Sequence, residues 1–374
     1  MIHMKLFRYI ALSLSTLWTV ASCGDPASQK PAPVMQGTVM LECDSEQLRC
    51  DGVDAVTFTV TVTDAGGQQH DVTQYAEIYG KDSQIVVADG KFSTEAEGEY
   101  VFYAVYGLSL SNEVVIKAVN EIPQLPEDPQ ATSTSFRHRM LLVQHTGTGC
   151  VNCPRMMESL RTLSEDPAYN TLYHHVASHS YNGGEGDAAY SDAARNLSMV
   201  YNTSGNYPSL TYNLTNVATG TDLKEIRSQI DKLSKMTADA GIAASVSLSG
   251  NDILVNIEVK SAKKNDYRVA AWVLEDDIYS VQTGMYESWH NVHENALRYM
   301  AGAVSQFSFV GEKVGNLDPG MKSQKMFVIP VEDNWDISNC EILIFVTAAD
   351  ENGNYDIANC AMCQIGDTVS YDYK

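Results

Sequence analysis

Two cysteines three positions apart, in Cys150-Val151-Asn152-Cys153, are the residues of this chain best suited to chemistry. A thiolate attacks a disulfide and a second thiol resolves the mixed disulfide, so the spacing suits thiol–disulfide exchange. The same spacing can close a turn as a permanent disulfide, or supply half of a zinc site. Zinc sites usually need a second pair or two well-spaced histidines, and neither stands out around this pair. Cys150 is the expected nucleophile, because free N–H groups and the dipole at a helix start favour a thiolate, with Cys153 one turn inward. His145 and Arg155 are near in sequence and could lower its pKa further.

The flanking residues predict what holds the pair. Arg139 to Gln144 is a short apolar run suited to a buried strand, and Thr146-Gly147-Thr148-Gly149 is a turn. Met156, Leu160 and Leu163 then recur at helical spacing. Leu172 to Ser178 reads as a second strand, followed by a turn with Gly183, Gly184 and Gly186. Tyr190, Ala194, Leu197 and Tyr201 mark an amphipathic helix, and Tyr207-Pro208 opens a short strand. A third helix, with Leu223, Ile226, Ile230 and Leu233 on one face, starts at the capping pair Thr221-Asp222. This βαβαβα order predicts a layered α/β domain over 136–238.

The N-terminus follows another logic. Lys5 and Arg8 precede an apolar stretch from Ile10 to Val20, too short to span a bilayer but suited to a secretory signal over 1–22. Val20-Ala21-Ser22-Cys23 resembles the bacterial lipobox, so Cys23 is expected to carry lipid, with 23–35 as anchor and tether to a membrane. Loss of the signal removes Lys5 and Arg8 from 25 basic residues and none of the 47 acidic ones, leaving a net charge of −24. Such a surface repels phosphate backbones and argues against nucleic acid as a partner. No cofactor or metal is implied.

Between 36 and 119 the pattern is all-β: Val56 to Val62 alternates with period two, and similar runs recur at Tyr100 to Tyr106 and Val114 to Val119. Strands at this spacing predict an immunoglobulin-like sandwich, with Cys43 and Cys50 as a structural disulfide. Residues 120–135, rich in proline, acids and hydroxyls, read as an extended linker. From 239 to 374 strands return and predict a second sandwich. A hairpin turning at Asp350 to Gly353 sets Ala349 against Asn354 and so Cys340 against Cys363, predicting a cross-strand bridge with Cys360 free.

Two histidine groups, His174, His175 and His179 and then His290 and His293, lack the His-Glu-x-x-His spacing of a metalloprotease. They read as packing or surface residues.

With the cysteine pair between strand and helix and Tyr207-Pro208 opening a later strand, residues 136–238 resemble a thioredoxin-like domain. The resemblance implies a cis bond at Pro208, substrate-binding roles for Tyr207 and Pro208, and catalysis by Cys150 and Cys153. Three positions depart from the pattern: Gln144 stands where an acid assists proton transfer, and Thr148 and Gly149 where tryptophan is usual. The fold class expected is thus multi-domain β plus α/β: an N-terminal immunoglobulin-like sandwich, a central thioredoxin-like domain and a C-terminal β-sandwich. That order, together with Thr146-Gly147, Cys153-Pro154, His179-Ser180, Tyr207-Pro208-Ser209-Leu210 and the stretch His290 to Arg298, resembles the outer-membrane-protein-28-related lipoproteins of Bacteroidetes. The resemblance implies an outer-membrane lipoprotein, periplasmic or surface-facing. Its function would be thiol–disulfide exchange with an exported partner or, alternatively, non-catalytic binding around a structural disulfide.

Overall fold

The period-two run forms strand Val56–Thr63, with Val56, Phe58, Val60 and Val62 buried and the intervening threonines half-buried. Alternation of this kind buries one face of a sheet and wets the other. In the computed structural model, which describes residues 36–374 apart from 82–84, 304, 306 and 307, this strand belongs to one of two four-stranded sheets in the N-terminal region. Their inner faces share a core with Phe58, Phe92 and Phe102, whose rings meet at 4.7–5.0 Å between centroids. The expected signal peptide, Cys23 and the tether lie outside the described residues.

The cysteines of this region are not bonded to each other. Cys43 ends strand Thr38–Cys43, paired with Phe58 in one sheet, whereas Cys50 follows Gln47–Arg49 in the other sheet. The few residues between them cross from sheet to sheet, and the Cys50 thiol instead donates to Asn120 at 3.2 Å. The expected Cys43–Cys50 disulfide is therefore corrected to two free thiols.

Over 136–238 the expected architecture fails. Strands occupy 45% of the chain and helices 14%, and no separate thioredoxin-like α/β domain forms. The strands that flank the cysteine pair enter a nine-stranded mixed sheet shared with the C-terminal region. Its order is Ala218–Thr219, Ser209–Tyr212, Met140–Thr146, Tyr173–His179, Ala296–Ala301, Asn265–Glu275, Cys340–Ala349 and Tyr355–Gln364, with Glu312–Leu317 also on Asn265–Glu275. The two halves meet at one register point, Ala177 against Ala296, where Ala177 N–H donates to the Asn295 carbonyl at 2.8 Å. This join overturns the α/β reading: a sheet that local patterning presents as self-contained is completed by strands more than a hundred residues away.

The second sheet of the C-terminal half contains Lys322–Pro330, Asp252–Ser261, Ala240–Ser249 and Thr368–Val369. It faces the nine-stranded sheet across a core that includes Val255, Ile257, Val269, Val273, Ile342 and Ile344. The hairpin of this sandwich is out of the expected register. Ala349 pairs with Tyr355, and a bulge between Val346 and Thr347 shifts the ladder again, so Cys363 lies opposite Ile342. Cys340 and Cys363 do not face one another and are free, as is Cys360.

Three α-helices dress the nine-stranded sheet. Helix α1, Cys153–Ser164, lays Met156, Leu160 and Leu163 on Met140 and Leu142. Helix α2, Asp192–Tyr201, covers the opposite face, and Ser191 caps it by accepting from Ala194 N–H. Helix α3, Leu223–Leu233, starts at Asp222, whose carboxylate accepts from the N–H groups of Lys224 and Glu225. Segment 120–135 carries no strand or helix, yet it is held: the Asn256 amide donates to Pro123 and the ammonium of Lys260 to Asp128, Gln130 and Ala131.

Candidate functional site

Met140–Thr146 ends at the turn that carries the cysteines. Gly147 is required there because a Cβ would meet Tyr181 at 2.7 Å. Cys150 N–H donates to the Gly147 carbonyl at 3.0 Å, and Cys153 opens α1 with Pro154 behind it, where the absent N–H costs nothing. Cys150 and Cys153 are joined as a disulfide.

The pair is closed off from solvent. Cys150 is 2% exposed and Cys153 0%, although the end of a helix would ordinarily stand open. The cover comes from 276–295, a segment of the C-terminal half. Gln282, itself buried, donates through Nε2 to the carbonyls of Cys150 at 2.9 Å and Thr148 at 3.1 Å, and Thr283 N–H donates to the Thr148 carbonyl at 2.7 Å. Gly284 has φ +74°, and any Cβ there would run into the Val151 carbonyl, so only glycine lets the cover lie this close.

The stretch His290 to Arg298 seats the cover. The Asn291 side chain accepts from Gln282 N–H at 2.9 Å. His293 Nε2 donates to the Ser280 carbonyl at 3.0 Å, which places the proton on that nitrogen because a carbonyl can only accept. His290 stacks on Trp289 and lies 3.4 Å from the carboxylate of Glu158 on α1, while Arg298 pairs with Glu275 at 3.1 Å. Burial pushes His293 down to about 4, so it serves as a neutral hydrogen-bonding group.

Asp187 ties the other side of the turn. Its carboxylate accepts from Thr148 N–H at 2.9 Å, Ala189 N–H at 3.0 Å and His179 Nδ1 at 2.9 Å. Burial works against its charge, but these hydrogen bonds prevail and hold its pKa at about 2.

The expected electrostatic activation of Cys150 is not built. His145 is fully buried with Nδ1 on Ser198 at 2.8 Å and Nε2 on Thr211 at 3.0 Å, and burial pushes it down to about 3. Neutral and locked between two hydroxyls, it supplies no positive charge to a thiolate. Arg155 is exposed on α1. Tyr207-Pro208 is a cis bond, and Ser209 follows it against His145. The Tyr207 hydroxyl bonds Ser180 at 3.0 Å and its ring meets Tyr181 edge-on at 5.3 Å, so Tyr181 links this strand end to the Gly147 turn.

Sequence reasoning thus located the cysteine turn but missed Gln282, Gly284 and Asp187, which decide its accessibility. Glutamine has no spacing signature. The glycine before Met285 was the available signal, since an isolated glycine in an irregular segment marks a close backbone approach.

A cysteine turn held shut beneath a loop of a β-sandwich defines a β-rich scaffold protein with a closed disulfide. Residues 194–368 match the family model described as outer membrane protein Omp28, which marks an outer-membrane or cell-envelope protein. The match covers the cover segment and most of the C-terminal sandwich, and begins downstream of the cysteine pair. Among solved structures, HBP35 of Porphyromonas gingivalis is similar with a TM-score of 0.51 and 15% identity over 62% of this chain and 77% of its own. A protein of Agrobacterium tumefaciens gives a TM-score of 0.39 and 14% identity over 63% of this chain and 97% of its own. At these identities the first shows likeness of fold alone. No curated protein matches the chain.

Proposed function

We propose that this chain is a lipid-anchored member of the Omp28 outer-membrane family. In this reading it is a binding protein in which the Cys150–Cys153 disulfide is a structural clamp. The observation that carries the reading is the burial of both sulfurs under Gln282 and Gly284. Exchange needs a sulfur that an incoming thiolate can reach in line, and a thiolate stabilised by nearby positive charge. Here the approach is filled and His145 is neutral. The clamp fixes the turn on which the cover lies and so the shape of the surface that the cover presents.

The lipid sits on Cys23, and the acidic mature chain faces an exported or surface protein partner rather than nucleic acid. Insulin reduction by the folded protein tests the clamp reading: the wild type and the Cys150→Ser/Cys153→Ser variant give the same background rate, whereas a cysteine-dependent rate overturns it. Membrane fractionation of Cys23→Ser tests the anchor, with the variant released to the soluble fraction if Cys23 carries the lipid.

A further inference from the structure

Beside the clamp, the nine-stranded sheet has a gap. Ala177 pairs in parallel with Ala296, the first residue of its strand, so residues 173–176 have no strand beside them on that side and border a cleft of about 800 Å³. On the face toward α1, Ala177 stands between His175 and His179 with Gln144 beside it, and so small a residue among large ones leaves a hollow. Leu160, Trp289, Met362 and Glu341 line the cleft.

The polar groups of this cleft are incompletely paired. Gln144 is 3% exposed, and its Nε2 has no hydrogen-bond partner among the described residues; the Nε2 of His175 is likewise buried and unpartnered. A buried polar atom without a partner costs about 1–3 kcal/mol, so the Gln144 donor and the His175 ring nitrogen, which donates or accepts according to its tautomer, point to an occupant that supplies hydrogen-bonding groups. The charges of the cleft favour a neutral one. Burial pushes His174, His175 and His293 down to about 4 and Glu341 up to about 7. The guanidinium of Arg161, over the Trp289 ring, is already paired with Glu165 at 2.9 Å. Among the described residues no group of three or more His, Cys, Asp or Glu is placed to hold a metal ion.

We propose that this cleft binds a planar, uncharged heteroaromatic small molecule of two or three fused rings, whose ring carbonyls and nitrogens pair with Gln144 Nε2 and His175 Nε2. Leu160, Met362 and the edge of the Trp289 ring, whose faces are taken by His290 and Arg161, give a ring system apolar contacts, and the volume falls in the range of ligand pockets, about 300–1,000 Å³. Burial raises both carboxylates of the cleft, Glu294 and Glu341, toward their neutral acids, and Arg161 is already paired, so a charged ring system gains little here to offset its loss of water.

The test is fluorescence anisotropy with the detergent-solubilised full chain and three tricyclic probes: neutral lumichrome, anionic anthracene-2-carboxylate and cationic 9-aminoacridine. The expected result is saturable one-to-one binding of lumichrome, at least tenfold tighter than either charged probe and weakened at least tenfold by Gln144→Leu. His175→Phe, which fills the same hollow, serves if the first variant fails to fold by circular dichroism. Absence of saturable lumichrome binding, equal affinity for a charged tricycle, or full affinity in a folded variant overturns the proposal.

Discussion

The side-chain amide of Gln282 donates to the carbonyl of Cys150 across 2.9 Å, joining residues 132 positions apart in sequence. Through this contact the C-terminal half of the chain closes the cysteine turn. Replacement by alanine removes one hydrogen bond from each of the buried carbonyls of Thr148 and Cys150, which keep Thr283 N–H and Cys153 N–H as donors, and each such bond is worth about 0.5–1.5 kcal/mol. Gln282→Ala is expected to lower unfolding free energy by about 1–3 kcal/mol in urea and to make the disulfide more easily reduced.

Gly284→Ala probes the same cover without touching a hydrogen bond. At φ +74° an alanine is strained, and its Cβ is driven into the Val151 carbonyl. Strain of that class costs about 1–3 kcal/mol, so the expected outcome is a matching loss of stability. Amide exchange should rise locally across 276–295, with the N-terminal sandwich unchanged.

Acid should loosen the molecule before the carboxylates protonate. His145 and His293 titrate in the folded protein at about 3 and 4, below their value of 6.5 when unfolded, because burial favours the neutral ring. Their contribution is complete above pH 6.5 and is lost as the pH falls toward 4 and then 3. Asp187, lowered from 3.8 to about 2, adds a loss between those values. Glu341 has the opposite sign: raised by burial from 4.5 to about 7, it contributes most below pH 4.5 and loses that contribution as the pH climbs through 7. The urea midpoint is expected to fall from pH 6.5 to 4, and less steeply in His293→Gln.

Lys260 anchors residues 120–135 to the second sandwich. Its ammonium, fully buried, meets Asp128 at 2.9 Å and the Tyr373 hydroxyl at 2.9 Å. Removing one partner of a buried pair costs about 3–5 kcal/mol, whereas replacing both by apolar groups is often tolerated. Lys260→Met is expected to be destabilising and to open 120–135 to limited proteolysis, with Asp128→Leu restoring part of the loss.

The local elements were legible because local periodicity dictates them. Met156, Leu160 and Leu163 face inward as their spacing requires, Asp222 caps α3, and Val56 to Val62 alternates as read. What pairs with what was not legible. Ala177 against Ala296 leaves no mark in either segment, so a βαβ run looked like a domain of its own. One bulge at Val346 and Thr347 and a longer turn were enough to separate Cys340 from Cys363. At the cysteine turn, residue type and spacing revealed a bond-forming pair but not its access, which Gln282 and Gly284 impose from a distant part of the chain.

The central claim, that Cys150–Cys153 is a closed clamp, is tested most directly by alkylation kinetics. The folded protein is held in mild reductant with iodoacetamide, and labelling of each cysteine is followed by peptide mass spectrometry. The account predicts that Cys150 and Cys153 stay unlabelled on the timescale that labels the half-buried Cys43 and Cys50, and that Gln282→Ala or urea brings their labelling on. Rapid labelling of Cys150 in the folded wild type would contradict it.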